Sequence, residues 1–493
     1  MKKPALFIWF AAILAIGVDG ALAGDEPGPH FTMENEPSGE PYDWQTTRLP
    51  EKPWKRPYNE IITTKLLLCK RDRDGGMGEI LFTFEQALEV IRRVHRITPE
   101  LDKVIYLVGW QYNGHDSKYP AWHQVNRALK RPQDKDALTS LRWLFKEAKD
   151  KYRTYLSFHI NMLDAYPDSP LWNTYVENDI IAKRKDGSIR WSVEWDGMRA
   201  ATISYVQEWK LGYAQKRIDD LVEMFPELKE TGSIHIDAFQ VHDKANPAVS
   251  EVLDHTLEDE ARTMRKIYRY WRDKHGIDVT AEGTTHKRNY TTIVDGKRTG
   301  VQDDFVGLQP FAWIFQKGKG PTAIDINDLY PSNLYTRTLL PLAPCFNENL
   351  LNKNTKGQRA LNVHRSWRQV RRKFYTWTVP DYLFFQQSAK GQDIRPFKGD
   401  RDLRTYCLPI AWRKDKSVAV WVGEDLEKLS NGEEGKKFTL PESWRGIDSA
   451  KVFDVNTDLN GDGWNEEGEV DIVDGTVELV LRKRDGRVLR PIE

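Results

Sequence analysis

Cysteine is nearly absent: Cys69, Cys345 and Cys407 are the only three, an odd number that excludes a complete disulfide framework and leaves stability to the core. An excess of either charge is missing too. The 73 basic side chains are matched by 73 acidic ones, which excludes nucleic acid or an anionic membrane as a main partner on electrostatic grounds. No apolar run reaches the ~20 residues of a spanning helix, so no membrane anchor is expected. Internal repeats, heptads, Gly-rich phosphate loops and zinc-type His/Cys spacings are also lacking, which excludes solenoid, coiled-coil, nucleotide-binding and zinc-finger readings. What is abundant is aromatic surface. With 40% hydrophobic residues and 18 Trp, 19 Tyr and 19 Phe, the chain can build a large core and still spare rings for stacking on sugars.

Met1-Lys2-Lys3, the apolar run Ala5–Val18 and Ala21-Leu22-Ala23 before Gly24 have the charged, apolar and small-residue regions of a secretory signal peptide. A secreted or periplasmic protein is expected, with residues 1–23 as leader and 24–60, rich in Pro, Glu and Trp, as an N-terminal arm. From residue 61 to 390, eight apolar runs of strand length alternate with amphipathic stretches: 64–70, 103–110, 153–162, 233–239, 278–283, 304–311, 339–345 and 381–387. Eight such units predict a (β/α)₈ barrel of the TIM type, with a doubly wound open sheet as the competing α/β architecture. The spacing of Ala87, Val90, Ile91 and Val94 predicts a helix over 84–97 capped by Thr83, and longer helices are expected over 206–225 and 257–275. Beyond residue 390 the period shortens to two, with turn signals at Asn431-Gly432 and Asp474-Gly475, and a C-terminal antiparallel β-sandwich over 391–493 is expected. The basic run 365–373 reads as a solvated helix face.

Barrel enzymes place their chemistry at the C-terminal strand ends. Those ends carry Trp110, Gln111, His115 and Asp116 after the second run, His159 and Asn161 on the third, His235 and Asp237 on the fourth, Glu282 on the fifth and Gln309 on the sixth. Asp237 and Glu282, on adjacent strands, are the candidate catalytic pair. Glycoside hydrolysis needs two such carboxylates, about 5–5.5 Å apart for retention or about 6.5–9.5 Å for inversion. His115 and Asp116 suit sugar hydroxyls, Trp110 or Tyr112 suits a sugar face, and Trp195-Asp196 is a candidate substrate contact on a barrel loop.

Gly109–Ser117 with Tyr119-Pro120, His159-Ile160-Asn161 with Asp164-Ala165-Tyr166-Pro167, then Ile236-Asp237 and Thr280-Ala281-Glu282, resemble in order the barrel signatures of the endo-α-N-acetylgalactosaminidase family of glycoside hydrolases and its exo-acting relatives. The resemblance covers roughly residues 60–390. It implies a retaining enzyme that cleaves an α-linked N-acetylgalactosamine or galactose-type sugar from an oligosaccharide or glycoprotein glycan, with Asp237 as nucleophile and Glu282 as acid/base. Two other readings stand beside it: an α-glycosidase acting on another galactoside or a sulfated glycan, and a non-catalytic glycan-binding barrel.

Asp458, Asn460, Asp462 and Glu469 fall at positions 1, 3, 5 and 12 of a D-x-[DN]-x-[DN]-G-x₅-E loop, with Gly463 at the sharp turn. The expected cofactor is therefore a structural Ca²⁺ in the C-terminal domain. No organic cofactor is expected.

Overall fold

The computed structural model describes residues 62–97, 100–195, 197–237, 249–256, most of 259–281, parts of 371–383, 401–455 and 464–493, with the short pieces 30–32, 55–56, 291–294 and 297–298. The expected leader and most of the expected arm lie outside these residues. Five apolar runs form β1 (Ile62–Leu67), β2 (Lys103–Val108), β3 (Thr154–Asn161), β4 (Ser233–Asp237) and β5 (Asp278–Ala281). They make one parallel sheet in which each strand pairs with the next in sequence, β1-β2-β3-β4-β5. A doubly wound sheet would reverse its order at a switch point, and these five strands contain no reversal. Of the remaining expected strands, 304–311 and 339–345 lie outside the described residues. In 381–387 only Leu383 is described, and it is helical rather than extended.

Helices cover the sheet as the apolar periods require. In α1 (Phe84–Ile97) the four expected core residues are all buried, and Thr83 and Gln86 cap the helix reciprocally: Thr83 N donates to Gln86 Oε1 at 2.9 Å and Gln86 N to Thr83 Oγ1 at 3.4 Å. In α2 (Ala137–Tyr152), Asp136 Oδ1 accepts from Thr139 N at 2.7 Å and Arg153 ends the helix in the left-handed region at φ 49°. The helix expected over 206–225 is two. Tyr205–Lys210 stops at Leu211-Gly212, where Gly212 takes φ 79°, and α3 (Tyr213–Met224) starts afresh. Residues from the sheet, α1, α2 and α3 form one continuous apolar core.

Among the described residues after 400, every strand pairing is antiparallel. One sheet has the order β6 (Tyr406–Pro409), β7 (Val418–Val422), β13 (Asp485–Pro491), β10 (Ser449–Val455), β11 (Trp464–Asp471); a second holds β8 (Glu427–Lys428), β9 (Glu434–Thr439) and β12 (Thr476–Leu479). Val418, Val420, Ala450 and Leu489 of the first share a core with Phe438, Val477 and Leu479 of the second. The other face of the first sheet, with Ala419, Trp421 and Val488, packs on Leu101, Phe374 and Tyr375. Arg371, expected to face solvent, is instead drawn onto this domain, while Arg372 keeps 41% of its side chain exposed as it pairs with Asp402. Arg371 Nε donates to Asp454 at 2.8 Å and its Nη2 lies 3.1 Å from Asp485, while Arg372 Nε donates to Asp402 at 2.8 Å. Among the described residues, no helix is long and apolar enough to cross a membrane.

Candidate active site

The in-register pairing of β3 and β4 decides which side chains meet. His235 lies opposite His159 and Asp237 opposite Asn161, so two layers of polar residues stack toward the C-terminal end of the sheet. His159 is 3% exposed, and its Nε2 lies 3.3 Å from Asp237 Oδ2, which is 15% exposed. Beneath them the His159 and His235 rings stack at 5.4 Å, and Tyr106 packs on His235 at the same centroid distance. Burial and the nearby Lys65 and His159 hold the His235 imidazole well below its ordinary range, so it is neutral. His235 therefore underlies Asp237 rather than lining a mouth.

The loop after β2 closes the site from one side because two glycines let it dock on Cys69–Arg71. Gly109 takes φ +74°, and a Cβ there would fall 2.0 Å from Cys69 O; Gly114, at φ +124°, backs onto Lys70. His115 N donates to Cys69 O at 2.8 Å, and Arg71 Nε donates to Asp116 O at 2.9 Å. The loop thus presents His115 against His159, rings 5.3 Å apart, with Asp116 Oδ1 3.4 Å from His115 Nε2.

Two residues absent from the expected site complete the acidic cluster. Asp164 accepts from Asn161 Nδ2 at 2.7 Å, and Asn161 Oδ1 in turn accepts from Leu163 N and Asp164 N at 2.8 Å. Burial, then Asp116 and Asp237, push the Asp164 carboxyl up to about 7, with the Asn161 bond opposing. The buried Tyr119 hydroxyl is raised well above its ordinary range, chiefly by burial and then by Asp116 and Asp237; Gln111, itself fully buried, lies beside it. Tyr119-Pro120 and Asp164-Ala165-Tyr166-Pro167 were visible signals, since both sit in the segments that carry the family resemblance.

Of the expected site residues, Gln111, His115, Asp116, His159, Asn161, His235 and Asp237 converge. Trp110 does not serve as a sugar platform. It is wholly buried, with its face stacked on Phe158 at 3.9 Å and its edge against Phe225, so it is a core residue. Tyr112 is likewise buried, its hydroxyl 3.0 Å from His123 Nε2. Trp195 ends a strand, Trp191–Trp195, whose partner is Met198–Thr202. Asp196, Glu282 and Gln309 lie outside the described residues, as do Asp458, Asn460 and Asp462 of the calcium loop. Glu469 of that loop is exposed on β11 opposite Lys451.

Residues 80–306 match the profile of a family described as endo-alpha-N-acetylgalactosaminidase. Among solved structures, the chain is similar to an alpha-N-acetylgalactosaminidase from Bifidobacterium bifidum in its GalNAc complex, at 16% identity over 45% of this chain and 34% of that one, TM-score 0.35. It is similar to an alpha-galactosidase from Thermus thermophilus bound to p-nitrophenyl alpha-D-galactopyranoside, at 14% identity over 45% and 37% of the two chains, TM-score 0.30. It is also similar to an alpha-amylase from Geobacillus thermoleovorans complexed with acarbose, at 11% identity over 89% and 100%, TM-score 0.40. The match with the Bifidobacterium enzyme spans about a third of that protein's length.

Proposed function

We propose that the protein is a secreted retaining glycosidase that removes an α-linked N-acetylgalactosamine or galactose-type sugar from a glycan, a reading supported by the match of residues 80–306 to the profile of the endo-alpha-N-acetylgalactosaminidase family. The observation that carries this reading is the placement of Asp237. It sits at a strand end, in contact with His159 and partly open to solvent, among the polar groups of His115, Asp116 and Asp164. In the proposed cycle Asp237 attacks the anomeric carbon while Glu282 protonates the leaving oxygen, and Glu282 then activates the water that releases the sugar. His115 and Asp116 would hold sugar hydroxyls, and His159 would orient the attacking carboxylate. The same reading closes the barrel with strands beyond Ala281, within a catalytic domain over 61–390. It makes 391–493 a sandwich and fills its Asp458–Glu469 loop with structural calcium.

The test is hydrolysis of aryl α- and β-glycosides, including α-GalNAc, α-Gal and the Galβ1-3GalNAc disaccharide. One α-glycoside should be cleaved, and Asp237→Asn should lower kcat by at least about 10³-fold with little change in Tm. An active Asp237→Asn protein would overturn the nucleophile assignment. Silence of the native protein on every glycoside, with glycan binding retained, would favour a binding barrel. For the calcium loop, chelation should lower Tm and added Ca²⁺ restore it; an unchanged melt would remove the metal from the reading.

A further inference from the structure

His115, His159 and Asp237 each offer one ligand atom, and the three atoms lie within 4.8 Å of one another. Two imidazoles and a carboxylate are the donor set of zinc and its late first-row neighbours, whereas calcium and magnesium prefer oxygen alone. A tetrahedral zinc ion with ligand atoms about 2.0–2.1 Å away holds those atoms about 3.3 Å apart. His159 Nε2 and Asp237 Oδ2 are already 3.3 Å apart, one edge of that tetrahedron. The remaining adjustment falls to His115, which stands on the glycine-bounded loop with its side chain 20% exposed. His115 and Asp237, with 20% and 15% of their side chains exposed, give an ion access to the cluster from solvent.

We propose that His115, His159 and Asp237 form a three-ligand site for a divalent ion of the zinc class, and that the bound ion reversibly blocks the enzyme. The binding half stands on the geometry. The inhibitory half rests on the glycosidase reading above, because an ion held by the Asp237 carboxylate occupies the lone pair that would attack the sugar.

The test is calorimetric titration of ZnCl₂, with MgCl₂ as comparison, into untagged full-length protein stripped by chelator, for the native chain and for His115→Ala, His159→Gln and Asp237→Asn. Circular dichroism and Tm verify that each variant is folded. One zinc site is expected, with each variant weakening it by about tenfold or more and magnesium giving no heat. His115→Ala is the decisive variant, since its loop position makes it the least disruptive to the core. Equal zinc affinity in the native and folded His115→Ala proteins would overturn the site. On a cleaved aryl glycoside, zinc should lower kcat/KM, and chelation should restore it; full zinc occupancy without any kinetic effect would overturn the inhibition. Zinc bound at these residues in a protein that cleaves no glycoside would support the site while refuting the glycosidase reading, so the two fail separately.

Discussion

Replacing Gly109 by alanine tests whether the docked loop, and with it His115, depends on one missing Cβ. Gly109 and Gly187 have nearly the same φ, +74° and +80°, but differ in surroundings: a Cβ at 187 meets nothing within 4 Å, whereas at 109 it falls 2.0 Å from Cys69 O and 2.9 Å from His115 N. A left-handed alanine costs about 1–2 kcal/mol, and a restricted unfolded chain returns about 0.4–1 kcal/mol. Gly187→Ala should therefore destabilise by about 1 kcal/mol. At 109 the new methyl would wedge into the His115 N to Cys69 O hydrogen bond of 2.8 Å. Losing a buried backbone bond costs about 1–3 kcal/mol and overpacking about 1–3 kcal/mol more, on top of the same φ cost of about 1 kcal/mol, so Gly109→Ala should cost about 5 kcal/mol. At roughly 2–4 °C per kcal/mol, thermal melts should fall by about 10–20 °C for Gly109→Ala and by about 2–4 °C for Gly187→Ala. Turnover in the folded fraction should also drop for Gly109→Ala alone. Equal Tm losses in the two variants would refute the claim that the close approach to Cys69, rather than the φ angle, requires glycine.

Two buried groups give pH predictions of opposite sign. Asp164 is pushed up to about 7 from an unfolded value of about 4, so its contribution to stability is fully present below about pH 4 and is lost as pH rises through about 7. The Tm of Asp164→Asn should therefore improve relative to the native protein between pH 5 and pH 8, and a constant difference over that window would count against the shift. Lys103, buried with its Nζ donating to Leu101 O at 2.6 Å, is lowered to about 7, first by burial. A lysine depressed in the folded state contributes stability above its unfolded value of about 10.4 and loses it as pH falls toward 7. The Tm of Lys103→Met minus that of the native protein should grow as pH is lowered from about 10 to about 7, and parallel melting curves would refute the burial argument.

The parts of the fold legible in the sequence are those fixed by local rules. The spacing of Ala87 to Val94 and the Thr83 cap gave α1, and the Asp474-Gly475 turn, with φ 51° and 69°, closes the Val473–Thr476 bridge as its residue types require. The five described runs of apolar strand length became five parallel strands in sequence order. What failed was the assumption that a pattern continues past its punctuation. Gly212 splits a helix whose apolar period runs on through it, and in β13 Asp485-Gly486-Arg487 breaks the period-two alternation before Val488 and Leu489 enter the core.

The candidate site divides in the same way. Strand-end position singled out His159, Asn161 and Asp237, because pleating and register follow from the sequence of each strand. It could not tell Trp110, which turns into the core, from His115, which turns out of it, because that choice depends on how the loop bends at Gly109 and Gly114. Asp164 escaped for another reason: its interest lies in burial beside Asp116 and Asp237, a property of three chain segments meeting rather than of any one. The same holds for the His115, His159 and Asp237 cluster. No ligand spacing in the sequence marks it, since its members come from three successive strand ends and become neighbours only when β2, β3 and β4 pair in order. Motif spacing detects sites built within one loop, whereas parallel sheets build theirs across strands. In such folds the residues worth testing are found by asking which strand ends share a register.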